Sequence, residues 1–137
     1  MAPAININTI HMKHLHWLQH PLAQLITFSM LLVGSPDFGG PYIFFVWHAF
    51  FAGQPFGIIG IFAIFITLVS LFPFPFRAWM QLGGWLLMML SLTIFLISGH
   101  GKNMAAWHQA VPLFTLIAFA LISILVCRKI FSRFPSR

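Results

Sequence analysis

Asp37 is the only carboxylate side chain in the 137 residues of this chain. That scarcity restricts the available folds more than any motif does. Charged residues make up 6% of the sequence and hydrophobic ones 60%, whereas soluble domains carry roughly 25% charged residues to face water. The composition predicts an all-α integral membrane protein, a single membrane domain over 1–137. The net charge of +6 comes from a few unmatched basic residues that are not clustered on a polar face. No nucleic-acid partner is expected from them.

A helix needs about 20 apolar residues to cross the hydrocarbon layer. Four runs approach or meet that length, at about 15–34, 55–72, 78–98 and 104–127. Breakers separate them: "GSPDFGGP" after the first, "FPFPF" between the second and third, and "SGHGKN" before the fourth. Pro73 and Pro75 cannot continue a helix, so the second and third runs are predicted to form a tight hairpin. A further stretch, "PYIFFVWHAFFAG" at about 41–53, is apolar but too short to cross. Its aromatic residues predict one short interfacial or re-entrant helix, since Tyr and Trp rings sit well with one end wet. The expectation is therefore four transmembrane helices plus this one.

Four spans put both termini on one side, with Lys13, Arg77, Arg128, Lys129, Arg133 and Arg137; only Lys102 and Asp37 lie on the other. The positive-inside rule makes the first side cytoplasmic, or matrix or stromal in an organelle, and the location a bacterial or organellar inner membrane. No A-x-A cleavage site follows the first run, so that run is expected to be a retained anchor. The single cysteine, Cys127, excludes an internal disulfide and reads as an apolar filler.

The stretch "HMKHLHWLQH" at 11–20 holds four of the seven histidines. On a helix, His11 and His14 fall on one side, and His16 and His20 fall nearly opposite. The four cannot meet at one ion, although His16 and His20 have the i, i+4 spacing of a zinc or copper pair. The plainer expectation is a polar collar, formed with Lys13 and Trp17, where the first run leaves the membrane. His48, His100 and His108 all map to the outer face and are a second candidate metal site, for zinc, copper or haem. Met104 would join them for copper(I). The competing expectation is that each binds a helix end or faces water. No cofactor is predicted, and lipids or pigments are expected against the apolar faces.

The runs contain no Asp, Glu, Lys or Arg in their cores, where such groups usually mark transport paths. Their polar residues are Gln24, Gln81 and scattered Ser and Thr. Lacking any glutamate, the chain differs from the small multidrug exporters; having one cysteine, it differs from the quinone-linked disulfide-forming proteins. Small residues recur instead: Gly57, Gly60 and Ala63; Gly84, Ser91 and Ser98; Ala23 and Thr27. Such stripes let helices approach closely. The sequence reads as a non-catalytic accessory subunit of a larger membrane complex in a respiratory or photosynthetic membrane, with other membrane subunits as partners. A histidine-based redox or metal-handling protein is the first alternative, and a small uncoupled channel or carrier the second.

Overall fold

The computed structural model describes residues 18–33, 40–98 and 110–132, with Ala110 and Val111 described as backbone only. Its helices begin and end close to the breakers in the sequence. In chain order they are α1 (Pro21–Ser29), α2 (Tyr42–Phe51), α3 (Pro55–Val69), α4 (Arg77–Ile97) and α5 (Ala110–Phe131), with a short ladder of β1 (Leu32–Val33) and β2 (Gly40–Pro41) between α1 and α2.

The all-α class holds; among the described residues two spans are shown rather than the four expected. Two stretches, Arg77–Ile97 and Pro112–Phe131, are long and apolar enough to cross a membrane. At 1.5 Å per residue each reaches about 30 Å. Helix α3 covers 15 residues, about 22 Å, and α2 and α3 qualify only if taken together. They meet at a bend of 115°. The first run departs furthest from expectation: α1 has nine residues, about 14 Å.

Nothing local stops α1 at Ser29, since Met30 and Leu31 are good helix formers. Remote partners decide it instead. The backbone after Met30 opens into an extended strand, with Leu32 paired to Pro41 and Val33 to Gly40. The Tyr42 N–H donates to the Leu31 carbonyl at 2.7 Å. The Leu32 N–H donates to Thr115 Oγ1 on α5 at 3.1 Å. Leu31 and Val33 are buried. Non-helical backbone at apolar depth needs this kind of satisfaction from the protein itself.

The bend between α2 and α3 follows from three residues. Gly53 takes a left-handed φ of 68°. Its N–H bonds the Phe50 carbonyl while the Gln54 N–H bonds the Ala49 carbonyl. That pair of bonds is a Schellman motif, which closes α2. Pro55 then opens α3, where its missing N–H costs nothing. Gly57 lets the two helices touch just past the bend. A Cβ there would lie 2.5 Å from the Ala49 carbonyl carbon and 2.6 Å from its Cβ, and would also strike the Phe50 nitrogen.

Small residues continue along α3. Gly57, Gly60, Ala63 and Thr67 are all buried, as are Gly84, Met88 and Ser91 on α4. A Cβ on Gly84 would strike Thr67 Oγ1, and one on Gly60 would lie 3.0 Å from Ser91 Oγ. Close approach between helices is what such a stripe permits. Ser98, expected to extend the α4 stripe, is exposed at its end. At the other end of the hairpin, the Arg77 Nε–H donates to the Ser70 carbonyl at 3.0 Å. The first residue of α4 thus caps the last turn of α3.

The core is aromatic, and every helix contributes to it. Tyr42 packs edge-on against Phe28 of α1 and Phe95 of α4. Phe95 also meets Phe45 and Phe56, and Phe28 reaches Phe119 of α5. Edge-to-face pairs of this kind are worth about 0.5–1.5 kcal/mol each beyond their buried area. The outer faces remain apolar. Phe62 and Phe65 of α3, Leu86 and Leu90 of α4, and Ile117, Leu121 and Ile124 of α5 are exposed. So are Phe72, Phe74, Phe76 and Trp79 around the hairpin turn.

Candidate functional site

Chemistry-bearing side chains fall into three places: the interior, the helix ends that carry histidine, and the basic end of the bundle. The interior is built around Tyr42, the only tyrosine in the chain. The sequence reading gave this ring a wet edge at an interface; instead it is fully buried. Its hydroxyl lies 3.1 Å from Ser91 Oγ. Ser91 uses its one proton on the Phe56 carbonyl, at 2.8 Å, so the Tyr42 hydroxyl must be the donor to Ser91. The relay ties α2, α4 and the start of α3 together.

Other polar groups are buried as well. Thr67 and Ser70 donate back to carbonyls of their own helix. Gln24 and Ser123 are 2% and 1% exposed, yet Gln24 Nε2 and Ser123 Oγ have no hydrogen-bond partner among the described residues. The Phe28–Phe119 and Leu32–Thr115 contacts show α1 and α5 running antiparallel. One turn further along, Gln24 and Ser123 fall at the same level. All these groups are hydroxyls and amides.

The histidines separate. His20 is the N-cap of α1, with extended backbone, and its Nδ1 accepts from the Leu22 N–H at 3.3 Å. His48 is exposed in the last turn of α2, where a cation or dipole suits the helix C-terminus. His16, His100, His108 and Met104 lie outside the described residues. Among the described residues no three His, Cys, Asp or Glu side chains come together.

The basic end has two concavities. Helix α4 starts there with Arg77 and α5 ends there with Arg128 and Lys129. A cleft of about 350 Å³ between α4 and α5 is lined by Trp85, Ile124, Cys127, Arg128 and Phe131. A second, of about 320 Å³, lies across Arg128 and is lined by Gln19, Leu125, Lys129 and Ser132 as well. Arg128 borders both. The sequence reading passed over this feature, although its signal was present: positions 124, 127, 128 and 131 follow the i, i+3, i+4, i+7 pattern of one helix face. No protein-family model, no curated protein and no solved structure shows significant similarity to the chain.

Proposed function

We propose that the chain is a small, non-catalytic integral membrane subunit that works by packing against neighbouring subunits and lipid within a larger membrane complex. The observation that carries this reading is the contrast between inside and outside. Among the described residues the interior is packed with aromatic rings and small-residue contacts. The outside presents long apolar faces, such as Ile117, Leu121 and Ile124 on α5. Monomeric soluble proteins rarely expose contiguous apolar patches larger than a few hundred Å². Hydrocarbon or a partner's helix fits these faces. Among the described residues the buried polar side chains are Gln, Ser and Thr, with the Tyr42 hydroxyl, which suits a packing role more than coupled transport. An inner membrane of the energy-transducing kind, with both termini on its cytoplasmic, matrix or stromal side, completes the proposal.

Gentle detergent extraction followed by native electrophoresis tests it. The expected result is migration within an assembly much larger than 15.5 kDa, with discrete partner bands in a second, denaturing dimension. Migration as a lone small particle would overturn the reading.

A further inference from the structure

The basic end of the bundle combines an apolar cleft with a net excess of positive charge. Trp85, Ile124 and Phe131 give the α4–α5 cleft apolar walls, and Arg128 stands on its border. Lys129 lines the neighbouring cleft, which Arg128 shares. Seven lysines and arginines face a single acid in the whole sequence, so at most one of them can be neutralised by a carboxylate side chain of this chain. The same end carries the exposed ring of Phe72, Phe74, Phe76 and Trp79. Trp79 is the residue type among them that favours headgroup depth. The cations therefore stand where lipid phosphates would be, with the apolar walls of the cleft beside them.

We infer that this cleft binds one anionic phospholipid, its phosphate against Arg128 and Lys129 and an acyl chain along Trp85, Ile124 and Phe131. The inference rests on the membrane reading above, but not on the accessory-subunit part of it. Charge complementarity selects the headgroup, and the apolar wall selects a lipid over a soluble anion. A zwitterionic lipid would keep the chain contact and lose most of the attraction. A surface cation contributes about fivefold in affinity for an anionic membrane, so the pair contributes about 25-fold.

Cys127 makes the test direct, because it is the only cysteine and lines the same cleft. The full-length protein in non-ionic detergent is titrated with dioleoyl phosphatidylglycerol, with the phosphatidylcholine of the same chains, and with sodium phosphate. Bound lipid is read by native mass spectrometry, and occupancy by the rate at which N-ethylmaleimide alkylates Cys127. Phosphatidylglycerol is expected to give a saturating one-to-one adduct at about 25-fold lower concentration than phosphatidylcholine, and to slow alkylation several-fold. The Arg128→Gln/Lys129→Gln variant is expected to abolish that preference. Equal binding of the two lipids would overturn the inference, as would an unchanged preference in the variant. Protection by phosphate alone would replace the lipid with a soluble anion. Displacement by an acidic peptide at lower concentration than phosphatidylglycerol would replace it with an acidic protein partner. The headgroup comparison on the unmodified protein decides the matter even where the double variant does not fold. Selective binding by a protein that migrates alone would sink the accessory-subunit reading and leave this one standing.

Discussion

The α3–α4 hairpin and helix α5 are both apolar, and they are packed in opposite ways. In the hairpin, glycines bring backbones together: Gly84 against Thr67, Gly60 against Ser91, with Gly57 against α2. Hydrogen bonds cross it at Ser91 and at Arg77. Helix α5 instead offers larger side chains, with Phe119, Val126 and Ile130 turned inward. Only 22% of its apolar stretch is buried, against 33% for α4. The difference separates two jobs. The hairpin is joined by close backbone contact, whereas α5 leans on the bundle through larger side chains and leaves more of its surface exposed.

Substitutions can break that comparison, and the largest effect is expected at the bend. Gly57→Val would push α2 off α3, because the obstruction is the backbone of Ala49 and Phe50. Overpacking typically costs about 1–3 kcal/mol and more where backbone must move, so a loss of about 3 kcal/mol is expected in detergent unfolding followed by circular dichroism. Unchanged stability would mean that α2 does not rest on α3. Next comes Gly84→Ala, whose new methyl meets Thr67 Oγ1. A cost of about 1–3 kcal/mol is expected. Thr67→Ala in the same chain should recover part of it, and a double-mutant cycle reads the coupling. Strict additivity of the two would refute the contact.

Ser91→Ala removes a partner from both Tyr42 and the Phe56 carbonyl, and leaves a buried hydroxyl unpaired. About 1–3 kcal/mol is expected. Tyr42→Phe takes away only a donor and lets Ser91 keep its bond to Phe56, so its cost should be smaller, about 1 kcal/mol. If Tyr42→Phe proved the more damaging, the direction of the relay would be reversed. The smallest effect on stability, and the sharpest test of the comparison, belongs to α5. Ile117→Ala and Leu121→Ala together should change the stability of the isolated protein by no more than about 0.5 kcal/mol per site. The same pair should deplete partner bands in native electrophoresis. A large loss of stability with unchanged partners would place this face in the protein's own core.

The sequence made the architecture legible where local rules govern. Pro73 and Pro75 mark the hairpin turn, Gly53 and Pro55 the break between α2 and α3, and the stripe of Gly57, Gly60 and Ala63 marks the buried face. It misled where the deciding partner was remote. The first run looks helical to Gly34 on propensity alone, yet Tyr42 and Thr115 draw its last residues into an extended strand. The same remoteness hid the position of Tyr42, since an aromatic residue beside a proline at the start of a short apolar helix reads as an interfacial anchor. Of the candidate-site residues, His20 caps the start of α1 and His48 lies in the last turn of α2, so both stand at helix ends. The cleft at Arg128 could have been found from the face shared by Ile124, Cys127 and Phe131, had the basic residues not been counted only as orientation signals.

The bond between Leu32 and Thr115 joins residues 83 positions apart. A ribosome adding roughly 5–20 residues per second needs on the order of ten seconds to travel between them. Through that interval the strand after Met30 lacks its hydroxyl partner, and α1 has not met the helix against which it will lie. The front of the molecule must therefore be held open by the insertion machinery, or wander between helix and strand, until its last helix arrives to close the bundle.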